Sequence, residues 1–154
     1  MYSRVLVAID DVSQCQAMIG LVGDVAAEEE TEVRALHLRL REVAGYNWRA
    51  LETSNEASYI ADAVTFELRM AGFPAGGVVR HAAVDRVAQA ILREAKAFDA
   101  QLIVLGSPSR GELLARLFGS VTQRVIQRSA CPVMVAPRRE RISPDPVASA
   151  GRPG

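Results

Sequence analysis

The sequence predicts a single-domain α/β fold: three layers, with helices on both faces of a doubly wound, five-stranded parallel sheet. Three observations carry that expectation. Five short apolar runs alternate with longer stretches whose apolar residues recur at helical spacing. The first run, Val5–Ile9, is continuous, as in a parallel strand covered on both faces. Strict strand-helix alternation implies right-handed crossovers and parallel neighbours.

Each element has a local reason. Ser13–Glu28 carries Met18, Ile19, Leu21, Val22, Val25 and Ala26 at helical spacing. Val33–Leu38 reads as the second strand. Residues 41–54 contain Gly45, Asn47 and Trp48 without a clear period and read as a loop. Thr53-Ser54-Asn55-Glu56 has capping-box spacing and opens a helix to about Ala71, stopped by Gly72-Phe73-Pro74. Val78–Ala82 is the third strand, and Asp85 stands where it can cap the next helix. That helix has Val87, Ile91, Ala95 and Phe98 in one stripe. Leu102–Leu105, Val121–Arg128 and Val133–Ala136 complete the series as strand, helix and strand.

Composition narrows the function. The chain has 154 residues, 49% of them hydrophobic, and a formal net charge of zero, which suits one packed domain and argues against a nucleic-acid partner held by bulk charge. No apolar run approaches the roughly 20 residues of a membrane span. Met1-Tyr2-Ser3-Arg4 leads straight into a strand, without the apolar segment of a signal peptide, so a cytoplasmic location is expected. Cys15 and Cys131 form neither a disulfide framework nor a zinc set, and read as small buried residues. His37 and His81 lie in strands, where a histidine is usually packed or hydrogen-bonded, and neither is assigned a catalytic or metal role. No Ser/His/Asp set or paired-carboxylate motif stands out, so no catalytic residue is assigned.

The stretch from Gly106 to Ser120 carries the functional signal. It follows an apolar strand and precedes a helical run, with glycines at both ends. Glycine lets backbone approach a ligand closely. The Gly119-Ser120 pair opens the last helix, whose free N–H groups and dipole attract phosphate. The loop lacks the Gly-Lys-Ser/Thr of a P-loop and the tight Gly-x-Gly-x-x-Gly fingerprint. It follows the fourth strand, which argues against a flavodoxin-like flavin carrier. Arg110 and Arg116 lie within it, as phosphate partners or as solvated charges. Asp10 ends the first strand, where it can accept from ribose hydroxyls; alternatively Asp10 or Asp11 caps the first helix with Ser13.

From Leu102 to Val135 the sequence resembles the C-terminal half of universal stress protein domains. That family has Gly, two residues, Gly, nine residues, Gly-Ser or Gly-Thr, then a helix and a Cys-Pro-Val strand. Here Gly106, Ser109, Gly119-Ser120, Val121-Thr122 and Cys131-Pro132-Val133-Met134-Val135 follow that order. Arg4-Val5-Leu6-Val7-Ala8-Ile9-Asp10 is similar to the family's first strand. The resemblance implies a Rossmann-like strand order 3-2-1-4-5 and a domain over residues 1–137; residues 138–154, Arg-rich and then rich in Pro, Ser, Ala and Gly, have no apolar period and read as a flexible tail. It implies an adenine-nucleotide sensor of stress, binding ATP or a relative, with Mg²⁺ only alongside nucleotide and at most slow ATP hydrolysis. Carried over position by position, the ligand contacts are Ala8, Asp10, Leu38, Leu105, Gly106, Pro108, Ser109, Gly119, Ser120, Val121 and Thr122. It also implies a homodimer through the final strand Val133–Ala136.

Three positions depart from the pattern. Ser109 replaces the second loop glycine, Asp11 stands where a small residue is usual, and Ala83-Val84-Asp85 replaces a Gly-containing turn. These favour lowered affinity. They also leave open a dimeric interaction module of the same fold whose pocket no longer binds nucleotide. Trp48 either covers a pocket or packs.

Overall fold

The computed structural model describes residues 2–26, 30–106 and 112–137, with the side chains of 112–118 excepted. The expected tail and residues 107–111 lie outside the described residues. The elements are β1 (Arg4–Ile9), α1 (Cys15–Val25), β2 (Glu32–Ala44), β3 (Asn47–Ala50), α2 (Ser54–Met70), β4 (Ala75–Ala83), α3 (Val87–Phe98), β5 (Leu102–Leu105), α4 (Glu112–Arg128) and β6 (Val133–Val135). A 3₁₀ turn, Val12–Gln14, leads into α1.

The five parallel strands lie in the order β4-β2-β1-β5-β6, the doubly wound arrangement expected. β1 is central, and its alternate side chains feed two separate cores. Val5, Val7 and Ile9 pack with Met18 and Val22 of α1 and Val64 and Leu68 of α2. Leu6 packs with Val87 and Ile91 of α3 and Val121 and Val125 of α4. Both faces of β1 are therefore apolar, which explains its continuous run.

Several local expectations change. Residues 41–54 are not a loop. β2 runs on to Ala44 and turns back into β3, with Ala44 opposite Asn47. Gly45, at φ +63°, takes the first position of this two-residue turn, where a positive φ is required. Arg41 pairs with Ala83 of β4 and with Ala50 of β3, so β3 lies on the β1 side of β2, beyond the end of β1. Trp48 is exposed and stacks with Arg41, whose guanidinium carbon lies 5.0 Å from the ring centre. β6 ends at Val135, and Ala136 adds one more bond to Leu105.

The capping box on α2 forms as read: Glu56 N–H donates to Thr53 Oγ1 at 3.1 Å, and Thr53 N–H donates to Glu56 at 2.7 Å. These bonds, the backbone one foremost, hold the Glu56 carboxyl below its usual range. Asp85 does not cap α3; Arg86 holds that position without a side-chain bond. α3 carries an unexpected buried charge. Glu94 accepts from Arg34 at 3.0 Å and from Arg80 at 2.9 Å, pinning α3 to β2 and β4. Burial opposes its charge, but the two guanidiniums outweigh burial and lower its pKa.

Candidate functional site

Parallel sheets of this kind present ligand crevices beyond the carboxyl ends of their strands, where the order reverses. Here that point lies between β1 and β5, joined by Gly106 N–H donating to Ala8 O at 3.2 Å. A cleft opens there toward α3 and α4. It is lined by Ala8, Ile9 and Asp10, by Gln14, by Leu36, Leu38 and Leu40, by Val87 and Ile91, and by Leu105, Gly106, Val121 and Thr122. The walls are aliphatic, with Asp10, Gln14 and Thr122 as the polar side chains.

Of the residues predicted from sequence, the cleft gathers Ala8, Asp10, Leu38, Leu105, Gly106, Val121 and Thr122. Pro108, Ser109 and Arg110 lie outside the described residues, and so does the side chain of Arg116. Gly119 and Ser120 are exposed and do not line the cleft. α4 begins at Glu112, so this pair sits in the interior of the helix. The anion-binding argument needs the first four N–H groups of a helix, and residues 119 and 120 are past them. The helix formers Glu112-Leu113-Leu114-Ala115-Arg116-Leu117 carry the helix through, and one interior glycine costs only about 1 kcal/mol. A Cβ at Gly119 would meet nothing within 4 Å.

Two of the three departures fall away from this cleft. Asp11 faces a separate groove with Leu51, Asn55, Glu56 and Tyr59. Ala83, Val84 and Asp85 are not among the lining residues; the first residue of α3, Val87, is.

Ile9, Gln14, Leu36, Leu40, Val87 and Ile91 also line the cleft and are not among the residues expected from sequence. The alternation Leu36-x-Leu38-x-Leu40 was the available signal, because one face of β2 points at α3. Gln14 had no signal. It is 9% exposed, and its carboxamide lies on Gly106. An added Cβ at Gly106 would overlap Gln14 Oε1 and stand 2.7 Å from its Cδ.

The end of β1 is braced from β2. Buried His37 uses Nδ1 toward Ile9 O at 3.0 Å and Nε2 toward Glu52 Oε1 at 2.6 Å. A carbonyl only accepts, so Nδ1 carries a proton and donates it. This fixes the carbonyl just before Asp10. His81, in contrast, is exposed on β4, against the expectation of a packed histidine. Cys15 is buried and Cys131 half-buried, and both are free thiols. Burial first, and Glu67 second, push the Cys15 thiol up. Among the described residues, no group of three or more His, Cys, Asp or Glu could hold a metal ion. No helix among them is long and apolar enough to cross a membrane.

The Universal stress protein family matches residues 1–137. A universal stress protein of Mycobacterium tuberculosis is 30% identical over 139 residues, covering 88% of this chain and 45% of that protein. The chain thus spans about half the length of the first curated relatives it matches. Among solved structures, a universal stress protein of Archaeoglobus fulgidus in complex with dAMP aligns with a TM-score of 0.65 at 21% identity, over 87% of this chain and 97% of that one. A family member from Arabidopsis thaliana with AMP bound aligns at 0.60 and 16% identity, over 93% and 97% of the two chains. These two likenesses show the fold.

Proposed function

The chain belongs to the universal stress protein family, and from that premise we propose that it binds an adenine nucleotide in the cleft between β1, β5 and α4. The supporting observation is that seven residues expected from sequence, from four elements and the two connections that follow β1 and β5, line one cleft at the switch point of the sheet. The adenine lies against the aliphatic wall of Leu36, Leu38 and Leu40, and Asp10 accepts from the ribose. The phosphates extend past Gly106 toward Thr122, with Pro108 and Ser109 as the further contacts expected from sequence, accompanied by Mg²⁺ when ATP is the ligand. Relatives of the same fold hold dAMP and AMP. The role is that of a cytoplasmic stress sensor or regulator, with at most slow hydrolysis.

A second copy joins through β6. This strand pairs only with β5 among the described strands, and Val135 on it is 43% exposed. An open apolar edge is stabilised by pairing with its symmetry mate. Val135→Lys therefore yields a monomer by light scattering while the fold persists.

Titration calorimetry with AMP and ATP tests the ligand. The expected dissociation constants lie between micromolar and millimolar, roughly −8 to −4 kcal/mol. Leu38→Trp fills the cleft and abolishes binding. The competing reading, an interaction module with a disused pocket, is favoured by one observation: the cavity is only about 40 Å³. Under that reading neither nucleotide gives heat with the wild-type protein.

A further inference from the structure

We infer that Gln14 is the affinity-determining residue of the cleft: its side chain occupies the ligand's place over Gly106 and must swing aside before a nucleotide can enter. The inference rests on the nucleotide-binding reading above and explains the small cavity.

A ligand pocket for a nucleotide-sized molecule runs to about 300–1,000 Å³, against the 40 Å³ present here. The part of the cleft bounded by described residues is therefore too small for a nucleotide base as it stands, and a wall there moves to admit one. The strand residues Ile9, Leu36 and Leu105 are buried at or below 5% exposure and held by the sheet. Val87 and Val121 are β-branched and stiff in their helices. Gln14 is buried as well, at 9% exposure, and has interactions of its own, but it differs in its support and its flexibility. It stands on a single 3₁₀ turn ahead of α1, not in the sheet. Its side chain is unbranched, with three rotatable bonds. Its carboxamide fills the space that the missing Cβ of Gly106 leaves, which is where a ligand would approach that backbone. Swinging Gln14 outward uncovers the backbone of Gly106 to the cleft.

Displacement has a kinetic signature. When a binding-competent state is only fractionally populated, apparent affinity falls by that fraction. Removing the plug restores it through faster association. Dissociation is little changed, because Gln14 is already displaced in the complex. A direct ligand contact would behave in the opposite way.

The test uses the wild-type protein, Gln14→Ala and Gln14→Met, with a fluorescent N-methylanthraniloyl-AMP in stopped flow and unlabelled AMP in calorimetry. Gln14→Met keeps the length of the side chain and removes the amide. Thermal unfolding confirms that each variant is folded. Gln14→Ala is expected to bind roughly three- to tenfold more tightly than wild type, through the association rate. Gln14→Met is expected to bind within about twofold of wild type. If both variants bind more weakly, through faster dissociation, Gln14 is a ligand contact and the plug is overturned while nucleotide binding stands. Unchanged binding in Gln14→Ala overturns it equally. If neither the wild-type protein nor Gln14→Ala binds AMP, the nucleotide reading fails and the plug with it.

Discussion

Glu94 offers the sharpest test of how the cleft is held in shape. It lies one turn after Ile91, so the bonds that fix it also set the distance of α3 from β2. Its side chain is 6% exposed, that of Arg34 is 29% exposed and that of Arg80 is 52% exposed. Arg34 also stacks on Phe98, 4.3 Å from its ring centre. Removing one partner of a buried ion pair costs about 3–5 kcal/mol. Arg80 is half-exposed and can rehydrate where it stands, so Glu94→Ala is expected below that range, about 2–3 kcal/mol. Glu94→Gln keeps the shape and one acceptor, and loses the charge assistance, for about 1.5–2 kcal/mol. Urea unfolding at neutral pH reads both values.

The pH dependence adds a second, independent reading. Because the native pKa of Glu94 is lowered, its contribution is present above the unfolded-state value of 4.5 and is lost as pH falls through the lower native value. The gap between wild type and Glu94→Gln therefore stays constant above about pH 5 and narrows below 4.5. A loss under about 0.5 kcal/mol for Glu94→Ala, or a gap that widens on acidification, would refute the argument.

Other consequences are simpler to measure. Gly77→Ala places a Cβ against Thr65 Oγ1 and 3.1 Å from the Ala61 carbonyl oxygen, so β4 and α2 must part; denaturation should show a loss of about 1–3 kcal/mol, with Gly76→Ala, which meets nothing within 4 Å, as the mild control. His37→Ala leaves the Ile9 carbonyl and Glu52 without their shared partner and should cost about 2–4 kcal/mol, read by chemical unfolding. Thr53→Ala removes the α2 cap for about 1 kcal/mol in the same assay. In the folded protein Cys15 should resist alkylation near neutral pH, because its buried thiol is held protonated; mass spectrometry after iodoacetamide treatment checks this.

The features legible in the sequence were those with local causes. The run Val5–Ile9 declared a strand buried on both faces, and Thr53 with Glu56 declared a helix start. The stripe through Val87, Ile91, Ala95 and Phe98 is buried as read. Glu94 sits on that stripe at i+3 from Ile91, and its charge hid its burial. Only the partners on β2 and β4, 60 and 14 residues away, make a buried carboxylate tolerable. The β2–β3 hairpin was missed because its distal half is exposed on both faces, leaving no period-two pattern to read. α4 starts at Glu112, well before the break that Gly119 suggests, because neighbouring helix formers override one residue's propensity. The cleft was half legible. Strand-end residues followed from topology, but the intrusion of Gln14 over Gly106 depends on a side-chain conformation that no pattern encodes.

The claim that matters most is that an adenine nucleotide occupies this cleft and no other. Photolabelling with 8-azido-ATP, followed by peptide mapping, tests it directly. The account predicts adduct on peptides from β2 around Leu36–Leu40 or from α3 around Val87–Ile91, suppressed by excess AMP and absent in Leu38→Trp. Label confined to the groove on the other face, around Leu51, Asn55 and Tyr59, or no label that AMP can displace, would contradict it.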